Sequence, residues 1–190
     1  MAIDWDFIES LEGFATVGYV PVDSDGEPLG KSGVTISAGV DLRHWDEEKL
    51  RRRAVPEDII EKVRPYLRMS GRDALFIANQ LELSEKEARM LGVCVRSAIV
   101  SSLTGHFNRR SRHFRFKDLP QPVQTVIASV AFQYGPALHS RTPNFFRQIT
   151  AGDWGDAYKN LINFGDAYPT RRRKEGAYLK TALANPPERS

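Results

Sequence analysis

One cysteine in 190 residues, Cys94, excludes an intrachain disulfide. It lies in an apolar helical run and reads as a small buried hydrophobe rather than a reactive thiol. No uninterrupted apolar stretch approaches the roughly 20 residues of a membrane-spanning helix, so no membrane insertion is expected. The opening MAIDWDFIESLEG is acidic and amphipathic, without the positive start and apolar core of a secretory leader. That pattern predicts a chain made in the cytoplasm and carried by other machinery to any target outside it. His44, His106, His113 and His139 show neither His-x-x-x-His spacing nor cysteine partners, so neither a metal site nor a cofactor is expected. There is no internal repeat and no low-complexity linker.

The chain is 41% apolar and 27% charged, a soluble globular composition of a length that suits one domain or one domain with two lobes. The net charge of +3 conceals an asymmetry. Residues 1–50 hold three basic and eleven acidic groups, a net of −8, and the remainder carries +11. A basic surface attracts nucleic acid, anionic lipid or bacterial wall polymers, and charge alone does not choose among them.

The first nine residues of IDWDFIESLEG read as a short helix, with Asp4 as its cap and Trp5, Ile8 and Leu11 on one face; Glu12-Gly13 ends it. Residues 14–40 are rich in Gly, Val and Thr and read as a small antiparallel sheet. In SGVTISAGVDLRH, residues 32–44, Val34, Ile36, Ala38 and Val40 alternate with Thr35, Ser37, Gly39 and Asp41, the period of a half-buried strand. Asp23 and Asp25 lie in a turn cluster that lacks the remaining ligand positions of a calcium loop, so a plain hairpin is favoured.

Beyond Asp41 the chain reads helical. Ser70 with Asp73, and Ser84 with Glu87, have capping-box spacing. From the second box Ala88, Leu91, Val95, Ala98 or Ile99, and Ser102 follow one face of the longest helix, and GHFNRRSRHFRFK, from residue 105, breaks the pattern. QPVQTVIASVAFQYG is apolar all round, which predicts a buried central helix. Thr142-Pro143 opens a further helix, two more follow, and ANPPERS closes the chain as a polar tail. The architecture is α+β: a small sheet lobe over about 13–41, a connecting helix over 84–103 and a helical lobe over 104–183, with a cleft between the lobes.

Glu12 and Asp41 stand at the two handovers between helix and sheet, where clefts form. Two carboxylates across a cleft are the minimum for glycoside hydrolysis: one donates a proton to the leaving oxygen, the other activates a water or attacks the sugar. By spacing alone, structural roles are favoured for both.

The order LEGF, Tyr19, then GVTISAGVDLRH resembles the catalytic lobe of phage-type lysozymes, in the branch that contains the lysozyme-like toxin domain of pesticin. IASVAFQYG, TPNFFRQITAGDWGDAYKNL and RRRKEGAYL are similar to later helices of the same family, so the resemblance covers nearly the whole chain. It implies a lysozyme-like fold and an enzyme, a muramidase, that cleaves between N-acetylmuramic acid and N-acetylglucosamine in peptidoglycan, with inversion. It implies Glu12 as general acid, Asp41 as base or stabilising charge, and Thr35 as the residue that positions water. Tyr19, Gln133, Tyr134 and Arg171 are implied contacts to substrate or site. Arg171, or Arg172, would orient Glu12, although Arg171–Arg173 read equally well as a solvated helix start. Phe132 reads as core.

Three features depart from the family pattern. Asp23 is the alternative second carboxylate, though aspartate after threonine favours Asp41. Ser37-Ala38 replace part of a glycine-rich loop, and Arg43 follows Asp-Leu. These last features keep a rival reading open, a glycan-binding or structural module without turnover. The Arg-aromatic stretch NRRSRHFRFK leaves nucleic-acid binding a distant third. Expected partners are glycan strands and a cognate inhibitor protein, for a protein acting as a monomer.

Overall fold

A computed structural model describes residues 2–184; most of the polar tail lies outside the described residues. The chain is α+β, a small sheet in an otherwise helical chain, and it divides into two compact units. One is Glu12–Ala98; the other combines the segment up to Leu11 with the chain from Ile99 on.

The smaller unit holds β1 (Ala15–Tyr19), β2 (Thr35–Ser37) and β3 (Val40–Asp41), antiparallel in the order β1-β2-β3. The outer edge of β1 is closed by residues 81–83: the Gly18 N–H donates to Leu81 O at 2.8 Å and the Leu83 N–H to Thr16 O at 2.9 Å. Val34, Ile36 and Val40 are buried as the alternation predicts, with Leu42, against Leu50, Ile60, Ala88 and Leu91, but the one strand expected there is folded into the hairpin β2–β3 with Ala38 in its turn. The strand is not half-solvated, however. Thr35 and Ser37 are buried as well, and Ser37, turned by its positive φ, donates its hydroxyl proton to the Ala88 carbonyl at 2.7 Å.

Helix starts follow local chemistry. In α1 (Trp5–Glu12) the Asp4 carboxylate accepts from the Phe7 N–H at 2.9 Å, and in α2 (Glu47–Arg52) Asp46 accepts from Lys49 N–H at 2.8 Å. After α3 (Glu57–Val63), the box expected at Ser70 does not form at the start of α4 (Gly71–Ile77). Gly71, at φ 65°, turns its N–H to the Ser32 carbonyl at 2.9 Å. The box at Ser84 does form: Glu87 accepts from the Ser84 N–H and hydroxyl at 2.8 Å each, and its own N–H donates to Ser84 Oγ at 3.3 Å.

Ser84 opens α5 (Glu85–Arg110), which continues past the expected break at 105. Its buried stripe changes face. Ala88, Leu91 and Val95 enter the core of the smaller unit, whereas Val100, Leu103 and Phe107 enter that of the other; Ser102, expected on the buried side, is exposed. Phe107 holds the helix through its last turns, edge-on to Phe116 and Phe146. By length and composition α5 is apolar enough to cross a membrane, although Arg96 interrupts its apolar run, in keeping with the sequence reading. A helix that feeds two protein cores passes the same criterion.

In the helical unit α6 (Gln121–Tyr134) is buried throughout Val123–Ala131, as its composition predicts. Around it lie α7 (Leu138–Arg141), α8 (Pro143–Ala151), α9 (Trp154–Ile162) and α10 (Pro169–Lys180), with Ile8 of α1 in the same core. Phe132 is partly buried and stacks on Trp5 at 6.0 Å.

Arg171 and Arg172 are buried and only Arg173 matches a solvated helix start. The fully buried Glu175 reaches both: Arg171 Nε donates to its Oε1 at 3.1 Å and Arg172 Nη1 to its Oε2. Arg171 also donates to Ser129 Oγ at 2.9 Å, and Arg172 to Asp166 at 2.8 Å. The cluster ties α10 to α6.

Removing one partner from such a cluster leaves charge buried without compensation, which costs about 3–5 kcal/mol. Glu175→Ala is expected to lower unfolding stability by about that amount in a denaturant titration of the helical unit's signal. A second test is pH-dependent. The Lys62 ammonium beside Glu87, with the Ser84 bonds, holds its carboxyl down to about 2. The resulting stabilisation is present above the unfolded value near 4.5 and lost as pH falls towards about 2. The stability gap between wild type and Glu87→Gln should therefore narrow across that window in acid titrations.

Candidate active site

Glu12 is the last residue of α1, and Gly13, at φ 75°, turns the chain into β1. Two residues of β1 and β3 then stand directly opposite Thr35 of β2. Tyr19 pairs with Thr35 across one ladder and Asp41 pairs with Thr35 across the other. Opposed residues of an antiparallel pair project from the same face, with side-chain roots about 4.5–5.5 Å apart. Tyr19, Thr35 and Asp41 thus form a row across the sheet.

Glu12 joins this row at the hairpin tip. Ile36 pairs with Val40, so Ser37, Ala38 and Gly39 make the turn between Thr35 and Asp41. Gly39 has φ 78°, and a side chain there would begin 3.9 Å from Glu12 Oε2. The same carboxylate is felt by Tyr19: burial, then the negative charge of Glu12, raises the phenol above its ordinary value.

Asp41 is held by the residues just beyond it in the chain. Its Oδ1 accepts the Arg43 N–H at 2.9 Å, capping the short turn Leu42–His44. Gly33 packs against that oxygen so closely that a Cβ would lie 2.5 Å from it. Oδ2 stands 3.6 Å from Arg43 Nη2 and 3.7 Å from His44 Nε2, beyond strong bonding distance. Thr35 donates its one hydroxyl proton to the Gly33 carbonyl at 3.2 Å, so towards any further partner it acts as acceptor.

Asp23 has a different setting. Its Oδ1 accepts the N–H groups of Asp25 and Glu27 at 3.0 Å each, closing an exposed turn beside the Val22–Pro28 bridge. The plain hairpin of the sequence reading is what the chain forms there. Ser37 and Ala38 are both buried, so their bulk points into the protein. Ser37 sits at φ 59°, a left-handed conformation that costs an L-residue about 1–2 kcal/mol. Arg43 donates through one nitrogen to the Lys31 carbonyl and sets Nη2 2.9 Å from His44 Nε2.

Gln133 and Tyr134 lie in the Arg172 cluster of the helical unit. Gln133 accepts from Arg172, and the Tyr134 hydroxyl donates to Asp166 at 2.8 Å. In NRRSRHFRFK the aromatics turn inward: Phe116 is fully buried and Phe114 packs against Trp154. They are not displayed as stacking platforms for bases.

Several residues around the hairpin escaped the sequence reading. Gly33 seats Asp41, while Gly92 and Arg96 of α5 meet the turn itself. The available signals were a glycine inside the longest helix and an arginine on a largely apolar face. Glu175, too, was legible as a partner three and four residues beyond two arginines.

Residues 2–155 match the family model of Pesticin, described as a bacterial toxin homologue of phage lysozyme, C-terminal part. The match spans most of the chain, which therefore belongs to this lysozyme-like toxin family. No curated protein sequence matches it.

The Glu12–Tyr19 proximity is directly measurable. Neutralising Glu12 removes a charge that disfavours the phenolate, so Glu12→Gln should lower the Tyr19 pKa towards its ordinary value. Phenolate absorbance titrations, with Tyr19→Phe to identify its contribution, check this; an unchanged Tyr19 transition would contradict the proximity.

Proposed function

We propose that this lysozyme-like toxin domain is a muramidase, hydrolysing the β-1,4 bond between N-acetylmuramic acid and N-acetylglucosamine of peptidoglycan with inversion. The observation that carries the reading is the row Tyr19–Thr35–Asp41 with Glu12 at the tip of the same hairpin. In this reading Glu12, protonated, gives its proton to the glycosidic oxygen as the bond to the anomeric carbon breaks. A water on the opposite face of the sugar ring attacks that carbon.

The hydrogen bonds around Thr35 give the water a defined orientation. The Thr35 proton is engaged by Gly33, leaving an oxygen lone pair. The water points one hydrogen at Asp41 Oδ2 and the other at Thr35 Oγ1. A lone pair then remains for attack, and Asp41 takes up the proton released. Tyr19 lines the same face. Asp41 is preferred to Asp23 because it shares a face with Thr35, whereas Asp23 closes its own turn.

The chain works as a monomer on glycan strands of the wall, delivered there by other machinery. A cognate inhibitor protein would protect the producing cell. Purified peptidoglycan digested by wild type, Glu12→Gln, Asp41→Asn and Asp23→Asn tests the reading. The first two variants should lose about 10²–10⁴-fold in rate, and Asp23→Asn should stay near wild type. New reducing ends mark hydrolysis, and anhydro-sugar ends would mark transglycosylation instead. Glycan retention without product would assign a binding module.

A further inference from the structure

The turn that joins Thr35 to Asp41 is held from one stripe of α5. Ala88, Gly92 and Arg96 follow one another at four-residue spacing, which places them on the same helix face. Each meets the turn. The Ala88 carbonyl accepts the Ser37 hydroxyl at 2.7 Å. Gly92 lies where a Cβ would stand 2.6 Å from Ser37 Oγ. Arg96, 6% exposed, donates through Nη2 to the Ala38 carbonyl. The next residue, Gly39, is the one beside Glu12 Oε2.

Ser37 adopts its left-handed conformation with a side chain present. Such a conformation persists only where the surroundings over-determine it. Here the surroundings are the Ala88 bond and the missing side chain at position 92.

We propose that Gly92 and Arg96 are positioning residues, which clamp Ser37-Ala38-Gly39 so that Thr35, Asp41 and Glu12 keep their mutual placement. The inference rests on the hydrolase reading for its effect on turnover, but the clamp itself is a statement about the turn. Arg96→Gln loses the reach to Ala38 and should lower kcat about 10–100-fold, because small displacements of reacting groups are costly, with KM nearly unchanged. Arg96→Lys, able to donate once to the same carbonyl, should recover most of that loss. Gly92→Ala drives a methyl into Ser37 Oγ and should lower kcat similarly. Adding Ser37→Gly removes both the hydroxyl and the strained side chain, and should restore turnover to Gly92→Ala.

A loss of general stability would not produce this paired rescue, and thermal midpoints of all variants are measured alongside. Amide hydrogen exchange at Ala38, Gly39 and Val40 reads the clamp without any substrate. Exchange there should quicken at least about tenfold in Arg96→Gln. Unchanged exchange and wild-type turnover in Arg96→Gln and Gly92→Ala would overturn the clamp, as would a failure of Ser37→Gly to rescue Gly92→Ala. If wild type leaves peptidoglycan uncut while exchange quickens as expected, the clamp stands and the hydrolase reading fails.

Discussion

Thr35 faces two partners at once, and the candidate chemistry depends on that register. A slip of one residue would turn Thr35 to the opposite face and bring Ile36 into its place. Strands of three and two residues carry too few ladder bonds to prevent this unaided. The apolar pair Ile36–Val40 supplies the restraint, both members being buried in the core of the smaller unit. Exposing either would forfeit about 1.5–3 kcal/mol of burial. Packing on one face of the hairpin therefore fixes which polar groups meet on the other.

The two units use charge differently. On the surface of the smaller unit, Arg51 bridges Glu47 and Glu57, Arg64 joins the same pair of carboxylates, and Arg72 meets Glu27. These pairs stay hydrated and decorate helices whose packing is settled by apolar residues. In the helical unit Arg171, Arg172 and Glu175 are withdrawn from water, and each charge is tolerable only while the others remain. The burial of Ser129 and the bonds to Asp166 and Gln133 are consequences, since the remaining donors of both guanidinium groups need acceptors.

Local rules carried the sequence reading furthest. Caps at Asp4 and Ser84 depend on residues within one turn, and the buried course of α6 depends on composition alone. The reading failed where a distant partner intervened. Ser70 has capping-box spacing, but Gly71 after it takes a left-handed conformation and bonds to Ser32. Arg171 and Arg172 look like a solvated run until Glu175 and Ser129 close around them. Ser102 keeps the helical period of Ala88 and Leu91, yet α5 has passed from one core to the other before reaching it. Ser37 reads as an ordinary polar strand residue, because a positive φ leaves no mark on the pattern.

The two aspartates make the same point about candidate sites. Both cap turns through Oδ1, so capping cannot separate a structural carboxylate from a chemical one. What differs is the neighbourhood of the rest of the group. Asp23 is exposed and bonded to N–H groups of the turn it closes, so its environment is complete within that loop. Asp41 is anchored by the same kind of bond, but its strand sets it beside Thr35 and on the face of Tyr19. The cap then has a second effect: it fixes one oxygen and thereby the direction of the other. A conformational constraint that looks purely structural is what gives Oδ2 a defined place on the face of Thr35.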